Sequence, residues 1–314
     1  RWEVETGNSA GRLTMTQESD GPDGFANSIK LACTTADTSI ASNEYFRLQQ
    51  VIEAQNLQSL AKGSSGAKQF TLSFYVKGNA TATYGIEIYD LDNTRHICTT
   101  FNVTTSWNRI SLTFDGDTTG VINDDNGGGF QVGIWLHAGS DYTSGTLATS
   151  WASVTNANRS SSSNTSFFDS TSRTFFITGV QLEVGDTATP FEHRTFADEL
   201  ARCQRYFCRT YQYGTDTGTA TSNGCVATSL SAAFSYAGAG NWEFPVTMRT
   251  APTVTVYSTA NANTTGKLSA DGTDGSGNAT FLSQNRCFFY RVNDSTGTAA
   301  NVFLRAHATA SAEL

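Results

Sequence analysis

The side chains that could do acid-base or nucleophilic chemistry are scattered through this 314-residue chain. Its four histidines, His96, His137, His193 and His307, are isolated from one another in sequence. The chain has no Gly-x-Ser-x-Gly, no phosphate-binding glycine loop and no His-Glu-x-x-His motif. A Ser-His-Asp set would have to be assembled by the fold. We therefore expect a protein that is not an enzyme and has no cofactor.

Two acidic turns offer oxygen ligands that would suit calcium. Asp124 and Asp125 lie in NDDNGGG, and Asp115 and Asp117 lie in DGDTTG. Neither turn matches an EF-hand loop, so solvated turns are the favoured interpretation and a calcium site is the alternative. The six cysteines form no Cys-x-x-Cys pair and do not cluster with histidine. We expect no zinc site, and reduced core thiols are favoured over disulfides.

Aromatic residues on the polar faces of strands are the candidate ligand-binding residues. Sugars present C–H faces that stack on aromatic rings, and polar groups such as Gln131 bind their hydroxyls. The predicted glycan-binding set is Tyr75, Lys77, Glu87, Tyr89, Trp135 and His137. Packing of these aromatic residues under loops, under a second sheet or against another subunit is the favoured alternative.

Alternation of apolar and polar residues predicts the strands that carry these side chains. In FTLSFYVKG, from Phe70 to Gly78, the apolar residues fall on one side and the polar ones on the other. The segments YGIEIYDL, WNRISLTF and FQVGIWLHAG repeat the pattern. No segment with helical periodicity lies among them, and no fixed repeat of about 20 to 50 residues is present. The pattern predicts an antiparallel β-sandwich.

Composition excludes several classes of partner. The formal net charge is −8, only 15% of residues are charged, and no basic cluster is present. Such a chain is a poor candidate for binding nucleic acid or an anionic membrane. No apolar run approaches the ~20 residues of a transmembrane helix, so membrane insertion is not expected. The 20 Phe, 11 Tyr and 5 Trp residues supply enough core material for two domains.

A junction between two β domains is predicted at FFITGVQLEVGDTATPFEHR, Phe175 to Arg194. Its first half predicts the last strand of a first domain. A turn follows, because Pro190 forces the residue before it out of helical geometry. Thr195 is a candidate N-cap for a following amphipathic helix. The predicted domains are residues 1–194, a linking helix at 195–211, and a smaller β domain at 212–314.

The apolar face of that helix is the candidate oligomer contact. Phe196, Leu200, Cys203 and Phe207 recur at intervals of four, three and four residues, which is one face of a helix. A helix this short is marginal alone, so its apolar face must be covered. The cover is either a β domain of the same chain or the same helix in neighbouring subunits.

GVQLEVGDTATPFEHR followed by ELARCQRYF resembles a junction found in bacteriophage tail-fibre and related virion proteins. The resemblance covers roughly Trp2 to Tyr211 and, more loosely, the FPVTMRTAPTVTV stretch from Phe244. It implies a jelly-roll domain like a carbohydrate-binding module, which closes on the GVQLE strand, and then a small β domain.

For function, the resemblance implies a virion protein of a tail fibre or other appendage, attached reversibly to a host cell-surface glycan. A homotrimer is the natural assembly for a fibre, in contact with other virion or tail proteins. A capsid decoration or fibre connector with no receptor role is one alternative. A polysaccharide depolymerase is the other.

Overall fold

The computed structural model describes residues 2–230, 236–292 and 302–314. The chain divides into two compact units, the first reaching to His193 and the second running from Arg194 to Glu313. Residues 231–235 and 293–301, which belong to the predicted C-terminal domain, lie outside the described residues. No helix among the described residues has the length and apolar character needed to cross a bilayer.

The first unit is an antiparallel jelly-roll β-sandwich, as the sequence predicted. Its strands are β1 (Glu3–Gly7), β2 (Arg12–Glu18), β3 (Ser28–Thr35), β4 (Tyr45–Glu53), β5 (Phe70–Gly78), β6 (Ala82–Asp90), β7 (Arg95–Val103), β8 (Asn108–Phe114), β9 (Gly128–Ala138), β10 (Ala152–Ser153) and β11 (Thr174–Val184). Short 3₁₀ helices at Ala54–Leu60 and Asn156–Asn158 and the one-turn helix α1 (Ser140–Thr143) join them. Sheet A has the order β1-β4-β9-β6-β7-β10, and sheet B has the order β2-β3-β11-β5-β8.

The alternation read from the sequence places one side of each strand in the core between the two sheets. From β5 the core takes Phe70, Leu72, Phe74 and Val76, and from β9 it takes Phe130, Val132, Ile134 and Leu136. These side chains meet across the sandwich; the Phe70 and Phe130 ring centroids are 5.7 Å apart. Each sheet therefore has an inner face on this core and an outer face turned away from the other sheet.

The junction motif folds back on the outer face of sheet B. A β-bulge interrupts β11 between Thr178 and Gln181, where Gly179 has φ +60°. A Cβ at Gly179 would lie 2.7 Å from the ring of Phe25, so only glycine fits without displacing that ring. After the strand, Thr71 Oγ1 donates to the carbonyl oxygen of Gly185 at 2.8 Å, which starts the return of the chain across the sheet.

Gln181 and Glu183 then hold the returning segment. The Gln181 Oε1 atom accepts a hydrogen bond from the Glu192 backbone N–H at 2.8 Å. The Glu183 carboxylate accepts from the Thr189 backbone N–H at 3.0 Å and from the Thr189 hydroxyl at 2.7 Å. Phe191 packs against Phe25, with ring centroids 5.0 Å apart. The motif thus supplies both the strand and the side chains that lock the turn behind it.

The helix of the junction, α2, spans Phe196–Gln204 and is shorter than predicted. The N-cap prediction is confirmed, because the Thr195 side chain accepts from the Asp198 backbone N–H at 3.3 Å. Phe207, however, lies in strand β12 (Phe207–Arg209), outside the helical face. Its neighbour Cys208 is buried in the core of the second unit. The helix ends before Phe207 because residues 207–209 pair with β19 and bury Cys208 in this core. The spacing of Phe207 from Cys203 still fits a helical repeat.

The second unit is a small antiparallel β domain. Its further strands are β13 (Val226–Leu230), β14 (Tyr236–Glu243), β15 (Thr253–Tyr257), β16 (Lys267–Ala270), β17 (Thr273–Thr280), β18 (Arg286–Val292) and β19 (Val302–Ser311). The C-terminal half of β19 pairs with β12 and β15, and its N-terminal half pairs with β13 and β16. Its buried residues Leu304, Ala306, Ala308 and Ala310 form the centre of the core, with Phe289 and Met248 packed in the same cluster.

None of the six cysteines is in a disulfide, and all six lie within the described residues. Cys33, Cys98, Cys208 and Cys287 are buried, while Cys203 is exposed and Cys225 is half-buried. Burial raises the pKa of the Cys208 and Cys287 thiols to about 12. These two thiols are therefore neutral groups of the core of the second unit.

Candidate functional site

The predicted glycan-binding residues lie on two different sheets. Tyr75 and Lys77 are on β5 in sheet B, whereas Glu87 and Tyr89 are on β6 and Trp135 and His137 are on β9 in sheet A. The outer faces of two packed sheets point in opposite directions. The six residues therefore cannot line one groove, and the structure divides the predicted set into two clusters.

The sheet B cluster is held by contacts within the chain. Lys77 forms an ion pair with Asp20, and its ammonium lies 4.9 Å from the centroid of the Phe176 ring and 5.3 Å from that of Trp107. The Trp107 indole N–H donates to Asp20 Oδ1 at 3.0 Å. Hydrogen bonds from Lys77 and Trp107 lower the pKa of Asp20. The side chain of Lys77 is thus engaged on the rings that surround it.

Tyr75, in the same sheet, packs under the junction. Its ring centroid is 5.2 Å from that of Phe25, and Phe25 in turn contacts Phe191 and His193. The Arg109 guanidinium lies 5.8 Å from the Tyr75 ring centroid. This placement matches the packing alternative for Tyr75.

Glu87 is the centre of the sheet A cluster. Its side chain is 1% exposed and accepts hydrogen bonds from Arg159 Nε at 2.9 Å, His96 Nδ1 at 2.9 Å and Trp135 Nε1 at 3.0 Å. Arg47 Nη1 lies 3.6 Å from its Oε2 atom. Burial alone would raise the pKa of Glu87, but the His96 hydrogen bond and the Arg159 charge outweigh it and lower the pKa. Glu87 is therefore a buried anion neutralised by two guanidinium groups.

Trp135 and His137 are fully buried on the outer face of sheet A. The Trp135 ring has Arg47 and Arg159 at 4.9 and 5.1 Å from its centroid, and the Tyr142 ring at 5.2 Å. His137 Nδ1 is 2.8 Å from Ser166 Oγ. Burial lowers the pKa of His137 against the opposing effect of Glu44.

The open face that the sequence predicted for Glu87, Trp135 and His137 is thus corrected: residues 139–166 cover it. The alternation of residue types separates the two faces of a strand. It carries no information about a segment from a distant part of the chain that packs on the polar face, as Arg159 does on Glu87 across 72 positions. In this structure Glu87, Trp135 and His137 are buried beneath residues 139–166 and hold that segment on the outer face of sheet A.

Tyr89 is the member of the predicted set that remains half-exposed on the outer face of sheet A. The Arg159 guanidinium lies 5.2 Å from its ring centroid. On the neighbouring strand, Gln131 is its register partner, and Gln131 Nε2 donates to Gln49 Oε1 at 2.9 Å. Gln49 Nε2 donates to Glu3 Oε2 at 3.4 Å. We call these four residues, Tyr89, Gln131, Gln49 and Glu3, the Tyr89 row; it crosses β6, β9, β4 and β1.

The Tyr89 row combines the groups that a sugar requires. Tyr89 offers an aromatic ring, Gln131 offers an amide that both donates and accepts, and Glu3 offers an exposed carboxylate. Arg159 holds the ring from one side and is itself fixed by Glu87. Sequence reasoning named Tyr89 and Gln131 but missed Arg159, Gln49 and Glu3, since their contacts join segments that are far apart in sequence.

Glu87, His96 and Cys98 form a group of three potential metal ligands within the described residues, with ligand atoms within 4.8 Å of one another. The charges around them do not suit a cation, because Arg159 and Arg47 already neutralise Glu87. Burial raises the pKa of the Cys98 thiol well above its usual range, so it stays protonated. The group is a buried hydrogen-bonded cluster whose chemistry fits neither a metal nor a nucleophile.

The two acidic turns have different environments. Asp124 and Asp125 are exposed, and Asp125 Oδ1 accepts from the Gly127 backbone N–H at 2.8 Å, as in a solvated turn. Asp117, by contrast, is buried, which corrects the solvated-turn interpretation for that residue. Its carboxylate binds Arg95 through Nε at 2.7 Å and Nη2 at 3.1 Å. These bonds and that of Lys62 lower the pKa of Asp117 against the opposing effect of burial.

Lys62 occupies the centre of this second buried network. Its Nζ atom lies 2.5 Å from Asp90 Oδ2 and 3.1 Å from Asp117 Oδ2, and it donates to the carbonyl oxygens of Thr119 and Gly120 at 2.9 Å each. The side chains of Lys62, Asp90 and Asp117 are all less than 5% exposed. The oxygens that a cation would use are thus bound to an ammonium group of the chain itself.

Comparisons with known proteins concern the fold. No protein-family model and no curated protein matches the chain. Among solved structures, the chain is similar to a family 4 carbohydrate-binding module, at 16% identity over 59% of this chain and 86% of that one, with a TM-score of 0.32.

It is also similar to the family 11 carbohydrate-binding module of the cellulosomal cellulase Lic26A-Cel5E of Clostridium thermocellum, at 12% identity over 59% of this chain and 88% of that one, with a TM-score of 0.31. A third similar structure is the enzymatically active domain of tailspike protein 4 of bacteriophage CBA120, at 13% identity and a TM-score of 0.32. That match covers 58% of this chain and 19% of the tailspike chain.

Proposed function

We propose that this chain is a non-catalytic glycan-binding protein of a bacteriophage virion, carried in a tail fibre or similar appendage, where it contributes to host attachment. The observation that carries the glycan-binding part is the half-exposed Tyr89 ring, which Arg159 holds beside the amide of Gln131. Sugars bind to this combination of an aromatic surface and nearby amide groups.

Preorganisation favours Tyr89 as the binding residue. Arg159 contacts the Tyr89 ring and also binds both oxygens of Glu87, so the ring rests on a side chain that is itself immobilised. A ring held in place before binding loses little conformational freedom when a sugar stacks on it. Two other half-exposed rings, on sheet B, are engaged by neighbouring side chains. Tyr75 packs against Phe25, and Lys77 lies over the ring of Trp107, so these rings are less available for a sugar than that of Tyr89.

The titratable groups beneath Tyr89 support a role in binding and not in catalysis. A general acid or base must exchange a proton with the ligand, and its pKa is tuned towards the working pH. Glu87 instead has a lowered pKa and is enclosed by two arginines, and the Cys98 thiol has a raised pKa. Both groups are locked in one protonation state at neutral pH.

The proposed place in a virion rests on the junction motif. Gln181, Glu183 and Thr189 of GVQLEVGDTATPFEHR all serve one locked turn. The motif that resembles tail-fibre proteins is therefore a coherent piece of structure, in which Gln181, Glu183 and Thr189 are hydrogen-bonded to one another. A similar sequence elsewhere would be expected to build the same junction.

A homotrimer would suit such an appendage, with α2 as the contact. No residue of α2 is buried, and Phe196 is 65% exposed and Leu200 37% exposed. Cys203 is exposed on the same face. A nine-residue helix gains its stability from packing, so a second and third copy of α2 are the proposed cover. Single sugar contacts are weak, and three copies would raise the effective concentration of sites.

Binding of the purified chain to an array of bacterial surface glycans tests the proposal. Tyr89→Ala should weaken binding about two- to ten-fold, since stacking on one ring contributes about 0.5–1.5 kcal/mol. Tyr89→Phe should keep most of the binding, and Trp107→Ala, which removes a ring from sheet B, is the matched control. Circular dichroism of each variant checks the fold.

Three outcomes would overturn parts of the proposal. Release of new sugar ends from a bound polysaccharide would show a depolymerase. Absence of binding to every glycan, together with imaging that finds the chain enclosed by other virion subunits, would show a connector or a decoration protein. Light scattering that finds a monomer, with Leu200→Glu giving the same mass as the wild type, would exclude the α2 trimer.

A further inference from the structure

We infer that the Tyr89 row takes the end of a neutral glycan chain and not an internal stretch of it. This inference rests on the proposed glycan binding at Tyr89. Its basis is that the outer face of sheet A is closed on two sides of Tyr89 and open on the others. The closing segment is residues 139–166, which we call the cover segment.

Along β6, the cover segment closes the face immediately beyond Tyr89. Arg159 stands beside the ring, and the next outward residue, Glu87, is 1% exposed beneath it. One step further, the backbone N–H of Gly85 donates to Asn164 Oδ1 at 2.9 Å. A Cβ at Gly85 would lie 3.4 Å from Ser160 Oγ, so the cover segment is in direct contact with the strand. A sugar chain cannot run on in this direction.

Across the sheet, the strand next to Tyr89 is also closed. His96 on β7 is the register partner of Tyr89 and is fully buried. The following outward residue, Cys98, is buried, and its backbone N–H donates to the carbonyl oxygen of Ala148 at 2.7 Å. Strand β10 pairs with β7 at His96 and extends the sheet on this side, and the burial of His96 and Cys98 shows that the outer face is covered there. Tyr89 thus stands in a corner formed by Arg159 and the covered strand β7.

The remaining directions are open. Gln131 is half-exposed and Glu3 is exposed, while Gln49 between them is buried and hydrogen-bonded to both, so a chain can leave over Gln131 and Glu3 towards β1. Leu91, at the other end of β6, is 39% exposed. Neighbouring strands are about 4.8 Å apart, so the row from β6 to β1 spans about 14 Å, the length of roughly three sugar residues. A terminal residue at Tyr89 with two more behind it would fill the row.

The charges of the site favour a neutral glycan. The two arginines below the surface, Arg47 and Arg159, are already paired with Glu5 and Glu87. Among the described residues of the Tyr89 row, Glu3 carries the exposed charge, and the chain as a whole carries −8. A uronic acid or sialic acid residue would bring a second negative charge to Glu3, whereas neutral hydroxyls can donate to it.

The test compares three forms of the same sugar: linear chains with the recognised end free, linear chains coupled to a surface through that end, and a cyclic form that has no end. The probes are linear neutral hexose and N-acetylhexosamine oligosaccharides of one to eight residues, coupled to a surface through either end, and a cyclic oligosaccharide of the bound sugar. We expect binding to one coupling orientation, full affinity by about three residues, and at least a ten-fold loss with the cyclic form. Equal binding of the cyclic form, or affinity that keeps rising to eight residues, would overturn the inference.

Charge preference is tested with Glu3→Gln, which should raise binding of a uronic acid polymer relative to binding of the neutral probes several-fold, because the polymer loses a repelling charge while neutral hydroxyls lose a charged acceptor. Glu18→Gln, in sheet B, is the matched control and should change neither. Tighter binding of the uronic acid polymer than of neutral probes by the wild type would contradict the neutral-glycan part. If the wild type binds no probe, glycan binding itself fails; if it binds linear and cyclic forms alike, only the chain-end inference fails.

Discussion

Arg159 donates to both carboxylate oxygens of Glu87, from Nε to Oε1 at 2.9 Å and from Nη2 to Oε2 at 2.9 Å, although the two residues are 72 positions apart in sequence. This pair joins the cover segment to the centre of sheet A. The same guanidinium also contacts the ring of Tyr89. One side chain therefore stabilises the fold and positions the proposed binding surface.

Arg159→Met should destabilise the first unit by about 3 kcal/mol, because it removes the main partner of a buried carboxylate. Glycan binding at Tyr89 should weaken in parallel. Urea unfolding followed by tryptophan fluorescence gives the stability, and binding is measured well below the unfolding midpoint. Arg286→Met, which breaks an exposed ion pair with Glu243, is the control and should change stability by less than about 1 kcal/mol. An unchanged midpoint in Arg159→Met would show that the pair does not hold the cover segment.

Lys62→Met should destabilise the first unit by about 3–5 kcal/mol, because it leaves the buried carboxylates of Asp90 and Asp117 without their shared cation. Lys68→Met, at an exposed lysine a few residues along, is the control and should have little effect.

The destabilisation caused by Lys62→Met should depend on pH. The folded-state pKa of Asp117 lies below the ordinary value of 3.8. Its contribution to stability is therefore present above pH 3.8 and is lost as the pH falls through the folded-state pKa. The cost of Lys62→Met should accordingly be smaller at pH 3 than at pH 7, since without Lys62 the Asp117 carboxyl group takes up a proton more readily and then no longer needs the cation. A cost that stays the same at both pH values would contradict the network.

The strands and their inward faces could be predicted from the sequence. Alternation along Phe70–Gly78 gave a strand with the same bounds as β5, because one face of that segment has to enter a core. The N-cap at Thr195 was also predictable, since the cap and the charges of the first helical turn are local in sequence.

The candidate site could be predicted only in part. Tyr89 and Gln131 were found because they lie on the polar side of alternating strands. The division of Tyr75 from Tyr89 between two sheets depends on strand order, which alternation does not encode. Arg159 lies in the RSSSSNTS segment, where composition predicts a loop and nothing indicates the buried partner Glu87. The end of α2 at Gln204 depends on the pairing of β12 with β19, a contact across a hundred residues.

Gln181→Ala should release the junction turn without unfolding either unit. The substitution removes the acceptor of the Glu192 backbone N–H and the amide that donates to Glu183 and Thr189. Amide hydrogen exchange at Glu192 and Thr189 should become at least ten-fold faster, since local opening then costs less. Gln69→Ala, which removes an exposed hydrogen bond to Asp115, is the control.

Exchange rates that are the same in Gln181→Ala and in the wild type would show that Gln181 does not hold the turn. The pKa of Glu183 is a second measurement of the same turn. Burial raises this pKa, but the hydrogen bonds from Thr189 and Gln181 outweigh burial and lower it. Its pKa should rise in Gln181→Ala, as measured by carboxyl NMR titration.

His307 should make the second unit less stable in mild acid. The imidazole is fully buried and stacked on Tyr211, with ring centroids 3.9 Å apart, and its Nδ1 atom is 2.8 Å from Thr210 Oγ1. Burial lowers its pKa below the ordinary value of 6.5. The unfolded chain then binds a proton that the folded chain does not, so stability falls as the pH drops below 6.5, by up to about 1.4 kcal/mol per pH unit.

His307→Phe keeps a ring on Tyr211 and removes the titrating group. Amide exchange of β19, measured at Ala306 and Ala308 between pH 7 and pH 5 and corrected for intrinsic rates, should show a loss of protection in the wild type and a flat profile in the variant. His193→Gln, at an exposed histidine of the first unit, should leave the wild-type profile unchanged. A pH-dependent loss that persists in His307→Phe would assign the effect to another group, because the buried imidazole would then be absent and the proton uptake still present.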